Sequence, residues 1–144
     1  MKIKIVNRSG NYPPSYSSIY SAGMDIRANL EEEIVLKLTE RAIVNMGIYS
    51  ELTVGYGSQI NLRSGLAVKK GIPVLNTTGT IDSDYRGEVH VILINLSAEN
   101  FVIKDGERIC QMIIAKHEKA ERIKVETPLE KERETGGFGP TGKN

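Results

Sequence analysis

Arg108-Ile109-Cys110-Gln111-Met112-Ile113-Ile114-Ala115-Lys116 is the stretch that decides the fold class. It follows a tight Asp105-Gly106 turn, and its apolar and β-branched side chains favour a strand. Alternation along it places Arg108, Cys110 and Met112 on one face and Ile109, Gln111 and Ile113 on the other. Ile34-Val35-Leu36-Lys37-Leu38, Ala42-Ile43-Val44-Asn45-Met46 and Val89-His90-Val91-Ile92-Leu93-Ile94-Asn95 read the same way. Seventeen isoleucines and ten valines dominate the apolar set. Glycine or Asx residues punctuate the runs at the spacing of a β-sandwich or barrel. Sustained helical periodicity is lacking, and the charged stretch Glu118 to Glu126 reads as either a short helix or an edge strand. An all-β fold is expected.

The 144 residues suit one domain, and 40% hydrophobic with 26% charged residues is ordinary for a globular chain. Nineteen Lys and Arg against eighteen Asp and Glu give a formal charge of +1. That balance argues against a general nucleic-acid binder, yet a few placed arginines suffice for a small phosphorylated ligand. The single cysteine, Cys110, suits a reducing compartment, and its apolar neighbours make it a packing residue. The first residues alternate charge and apolar groups, unlike a signal peptide, and no run approaches 18 apolar residues. A cytoplasmic protein without membrane or nucleic-acid partners is expected. Asn7-Arg8-Ser9, Asn76-Thr77-Thr78 and Asn95-Leu96-Ser97 match the glycosylation sequon, which means nothing without secretion.

Composition shifts near residue 127, which divides the chain into a β domain, 1–126, and a flexible glycine-rich tail, 127–144. The tail's Gly137-x-Gly139-x-x-Gly142 and Gly137-x-x-x-x-Gly142-Lys143 imitate phosphate-binding fingerprints. Both need a following helix, and one residue follows Lys143. Glycine-rich backbone can still approach anions. A tail closing over a flat, phosphorylated ligand accounts for its glycines, Arg133 and Phe138 together, while taken alone an inert tail is an equal reading.

Three internal segments carry possible chemistry. Arg63-Ser64-Gly65 offers a guanidinium fork, a hydroxyl and a close backbone approach, although for the tripeptide alone a simple turn is the better reading. Gly79-Thr80-Ile81-Asp82-Ser83-Asp84-Tyr85-Arg86-Gly87-Glu88 reads as a hairpin connection holding two of the four aspartates. A carboxylate there could orient and deprotonate a water, but spacing does not say which aspartate. Gln111, amid isoleucines, needs hydrogen-bond partners that are either structural or a ligand.

Together these segments resemble the five ordered motifs of the trimeric deoxyuridine triphosphatases (dUTPases). The motifs are Ser21-Ala22-Gly23-Met24-Asp25-Ile26-Arg27-Ala28, Arg63-Ser64-Gly65-Leu66-Ala67, Gly79 to Gly87, Gly106-Glu107-Arg108-Ile109-Cys110-Gln111-Met112, and Arg133 with Gly136-Gly137-Phe138-Gly139. The resemblance implies a jelly-roll-like β-barrel in a homotrimer, with active sites at subunit contacts and the tail arriving from a neighbour. It implies hydrolysis of dUTP to dUMP and pyrophosphate, which limits uracil in DNA and supplies dUMP for thymidylate synthesis. Mg2+ would be held mostly by the three phosphates.

Carried over, Asp82 holds the attacking water and contacts the 3′-hydroxyl, while Tyr85 packs under the sugar and leaves no room for a 2′-hydroxyl. Asn76 and the hairpin, Thr80 included, take the uracil. Arg63, Ser64, Gly65 and Gln111 take the phosphate chain, and Asp25 supports the metal through water. Arg133 meets the terminal phosphate, and Phe138 beside Gly139 stacks over the base. Asn61-Leu62, Glu134 and Pro140 depart from the family pattern, which implies weaker tail contacts with the chemistry kept. The rival readings are a dCTP deaminase of the same fold, with Glu88 as its proton shuttle, and a non-catalytic nucleotide-binding trimer.

Overall fold

A computed structural model describes residues 1–129. Eleven strands and one helix are assigned in them: β1 (Lys4–Asn7), β2 (Ser15–Tyr16), β3 (Met24–Arg27), β4 (Ile34–Leu36), β5 (Arg41–Asn45), β6 (Ile48–Glu51), β7 (Tyr56–Leu62), α1 (Ser64–Lys70), β8 (Gly79–Ile81), β9 (His90–Ile94), β10 (Phe101–Ile103) and β11 (Arg108–Lys116). The four long apolar runs are strands, and the all-β expectation holds. The strands pair antiparallel in four sheets, of order β2-β3-β11-β7-β8, β1-β6, β4-β10 and β5-β9. Among the described residues these pairings do not run round into a closed barrel.

One core joins all four sheets. Ile26 and Met112 come from the five-stranded sheet, Ile48 from β6, Leu36 and Ile103 from β4-β10, and Val44, Val91 and Leu93 from β5-β9. All are nearly inaccessible to solvent. Burying side chains of this size stabilises by roughly 1.5–3 kcal/mol each. No helix among the described residues is long and apolar enough to cross a membrane.

Two expectations need correction. The segment after Arg63 is the seven-residue helix α1, not a turn. It is held by Leu66 in the core and ended by Gly71, whose φ of 64° lets its N–H reach back to Ala67 O. Glu118 to Glu126 is neither helix nor strand, and residues 117–129 are exposed. It pairs with no strand among the described residues and buries none of its side chains.

Two of the three sequons have a structural use. Asn7 Oδ1 accepts the N–H and hydroxyl of Ser9, and Asn95 Oδ1 accepts those of Ser97. Each turn docks on a left-handed glycine: a Cβ at Gly47 would strike Ser9, and one at Gly71 would crowd Ser97. The asparagines therefore read as turn-stabilising Asx motifs.

Candidate active site

Asp25 sits in the middle of β3, opposite Gln111 of β11, with 9% of its surface exposed. Its Oδ1 accepts from Gln111 Nε2 at 3.1 Å and its Oδ2 from Arg108 Nη1 at 3.0 Å. The Arg63 Nε lies 3.5 Å from Oδ1, and Arg63 Nη1 donates to Arg108 O at 2.9 Å. Simple alternation would put Arg108 and Gln111 on opposite faces. The register shifts between Arg108 and Cys110, so Arg108 pairs with Arg27 and Cys110 with Ile26. This bulge brings Arg108 to Gln111's face and corrects the expected grouping of Arg108 with Cys110 and Met112. Gly23 contributes by absence: a Cβ there would stand 3.2 Å from Gln111 Cβ and 3.5 Å from its Oε1.

Cys110 lies on the buried face, its Sγ 3.4 Å from Met46 Sδ. Burial, and then the nearby Asp25 charge, push its thiol up to about 12, so it is a packing group as expected.

Arg63 caps α1 in extended conformation, and Ser64 and Gly65 form its exposed first residues. The first N–H groups of a helix have no intrahelical acceptor and face outward. A Cβ at Gly65 would meet nothing within 4 Å, so the protein's own packing does not require glycine there. The space stays open for a ligand.

A second concavity, of about 260 Å³, is lined by Asn76, Thr80, Asp82, Tyr85, Glu88 and His90 over Ile60 and Val89. The hairpin after β8 is tied internally. Tyr85 N donates to Asp82 O, and Arg86 Nη1 donates to the carbonyls of Ser83 and Tyr85. Tyr85 Oη donates to Glu88 O at 2.9 Å. Asn76 lies beside Gly79, where a Cβ would stand 3.2 Å from its Nδ2. Asp82 is exposed, and its carboxylate has no hydrogen bond or ion pair among the described residues. Glu88 is committed elsewhere, accepting the N–H groups of Met46 and Gly47 at 3.1 and 2.7 Å. That engagement counts against Glu88 as a proton shuttle.

The two clusters do not meet. Asp25, Arg63, Ser64, Gly65 and Gln111 are absent from the cleft lining, which holds Asn76, Thr80, Asp82 and Tyr85. In the order β3-β11-β7-β8 the cleft strand lies three spacings from Asp25. At about 4.8 Å per spacing that is roughly 14 Å. Arg133, Phe138 and Gly139 lie outside the described residues. Two residues to which the dUTPase resemblance gave no role join the site: Arg108 beside Asp25, and Glu88, named above only as a deaminase's shuttle, whose carbonyl holds the Tyr85 hydroxyl. The Asp105-Gly106 turn before Arg108 was a signal that the strand begins irregularly.

Among the described residues no three His, Cys, Asp or Glu side chains gather as a metal cage. Asp25 is one carboxylate among two guanidiniums, with both oxygens engaged. The net positive charge of this cluster suits phosphate oxygens. Asp25 could reach a cation carried by them only through water on its remaining lone pairs, as Mg2+ that keeps several waters allows.

An all-β scaffold with a cationic cluster, an open glycine at a helix start and a polar hairpin cleft defines a protein for a small anionic ligand with a polar head. A family model described as dUTPase matches residues 12–142. The chain belongs to the dUTPase family. It is 51% identical to the deoxyuridine 5′-triphosphate nucleotidohydrolase of Finegoldia magna over 142 residues, 99% of each chain. The protein of that name from Cytophaga hutchinsonii is 50% identical over 98% of this chain and 92% of its own. Among solved structures, a mutant dUTPase of Staphylococcus bacteriophage 80alpha with dUpNHpp superposes with a TM-score of 0.84 at 23% identity, covering 99% of each chain. A mutant dUTPase from phage phi11 of S. aureus, described with a structural Mg(II) ion, gives 0.81 at 20% identity over 90% of this chain and all of the other. At these identities the superpositions establish the fold.

Proposed function

We propose that this chain is a dUTP diphosphatase that hydrolyses dUTP to dUMP and pyrophosphate by attack of water on the α-phosphorus. The observation that carries the reading is the convergence of Asn76, Asp82 and Tyr85 on one cleft in a member of the dUTPase family. Asp82, exposed and uncommitted, orients the water and accepts its proton. Tyr85 forms the floor under the deoxyribose. Asn76 and the hairpin backbone, with Thr80, read the acceptor–donor–acceptor edge of uracil; cytosine would leave buried polar groups unpaired there.

Arg63, Ser64, the Gly65 N–H and Gln111 hold the phosphate chain, with Asp25 orienting Arg63, Arg108 and Gln111 beneath it. Mg2+ carried by the triphosphate would be supported by Asp25 through water, and when bound it supplies charge neutralisation on the phosphate oxygens. The protein's own contribution is to place guanidiniums and N–H groups where that charge develops.

The roughly 14 Å across the sheet from the cleft strand β8 to Asp25's strand favours a site completed across subunits. In this reading the chain forms a homotrimer of jelly-roll-like domains, residues 1–126, and one protomer's cleft faces a neighbour's Arg63 and Gln111. The tail, 127–144, brings Arg133, Phe138 and Gly139 over the bound nucleotide and excludes water.

The test is pyrophosphate release from dUTP, dCTP, dTTP and UTP, with magnesium and with chelator. Release from dUTP alone supports the reading. Ammonia from dCTP overturns it in favour of a deaminase, and tight dUTP binding without turnover in favour of a binding protein.

A further inference from the structure

We infer that Glu88 is a positioning residue for sugar selection, acting on Tyr85 from the wall of the cleft; this rests on the dUTP diphosphatase reading. Three observations carry it. Glu88 Oε1 accepts both N–H groups of the turn between β5 and β6, from Met46 and Gly47. Its backbone carbonyl accepts the Tyr85 hydroxyl at 2.9 Å. Gly87, between them, leaves room for the phenol to fold back, because a Cβ there would collide with Tyr85 Oη. One residue thus joins the sugar floor to the rigid core.

The chain of support continues inward. Val89 N donates to Ile48 O, and Val89 is fully buried. Gly47 in turn packs on Ser9, and its carbonyl accepts Arg8 N–H. Without the Glu88 carboxylate, two turn N–H groups lose their acceptor, and residue 88 is held by its neighbours alone. The carbonyl that aims Tyr85 then shifts. The displaced ring opens room for a 2′-hydroxyl, the group it is placed to exclude.

The experiment measures kcat/KM for dUTP and for UTP, with melting temperature, in the full chain, Glu88→Ala and Glu88→Gln. The parent is expected to prefer dUTP, and Glu88→Ala to lose about tenfold of that dUTP:UTP ratio, since small misplacements at a reacting centre cost one to two decades. Glu88→Gln keeps an acceptor oxygen and is expected to restore most of the ratio. A folded Glu88→Ala with the parental ratio overturns the inference and leaves the diphosphatase reading standing, whatever happens to its melting temperature. Should Glu88→Ala fail to fold, Tyr85→Phe cuts the same link at its other end; an unchanged ratio in that variant also overturns the inference. A parent with no preference for dUTP overturns the functional reading itself.

Discussion

Arg108 and Gln111 stand three positions apart on one strand yet donate to the two oxygens of the same carboxylate, Asp25. The bulge between Arg108 and Cys110 makes this possible. Arg108→Ala should therefore cost stability as well as phosphate affinity. Because Arg108 is half exposed, the loss should be about 1–2 kcal/mol, below that of a fully buried charged pair. Urea denaturation measures it; a variant as stable as the parent would show that Arg63 and Gln111 suffice for Asp25.

Asp82→Asn keeps shape and hydrogen-bonding capacity but removes the proton acceptor. Turnover of dUTP should fall by a factor of about 10²–10⁴, while calorimetric titration still detects nucleotide binding. Turnover at the parental rate would rule out Asp82 as the base.

Gly87→Ala places a methyl group against the Tyr85 hydroxyl. The ring must swing off the Glu88 carbonyl, and kcat/KM for dUTP should fall by about tenfold or more. Stopped-time pyrophosphate assays test this, and unchanged kinetics would mean that the ring does not floor the sugar.

The Cys110 thiol, pushed up to about 12 chiefly by burial, should be protonated and inaccessible at pH 8. A disulfide reagent such as DTNB should label it only after unfolding in guanidinium. Rapid labelling of the folded protein would contradict its burial.

Asp105 Oδ1 accepts Leu30 N–H and Asn11 Nδ2, and these bonds, the backbone one first, lower its pKa below the ordinary 3.8. A lowered folded-state pKa means stabilisation that is present above the ordinary value and lost as pH falls through the folded one. Asp105→Asn should consequently melt earlier than the parent at pH 7, with the gap closing as pH falls below the ordinary 3.8 and through the lower folded value. Thermal melts across pH 2 to 7 measure this. A gap that persists at the acid end would assign the effect to shape, not charge.

What the sequence determined alone was local chemistry. Long β-branched runs such as His90–Ile94 can bury their side chains as strands, and Cys110 amid apolar neighbours has no activating partner nearby. The polar hairpin holding Asp82, Asp84 and Tyr85 was legible from its turn formers, but the choice of Asp82 and the roles of Asn76 and Tyr85 came from the resemblance to the dUTPase motifs. Tertiary structure decided what depends on distant partners. The helix α1 has only seven residues, too few to be stable by propensity, and forms because the core receives Leu66. The bulge that turns Arg108 toward Asp25 breaks the period of two on which a strand reading rests. Glu88 reads as the end of a hairpin, or as a deaminase's shuttle, until the chain brings it to Met46, 42 positions away, where two N–H groups require an acceptor that only the folded arrangement can supply.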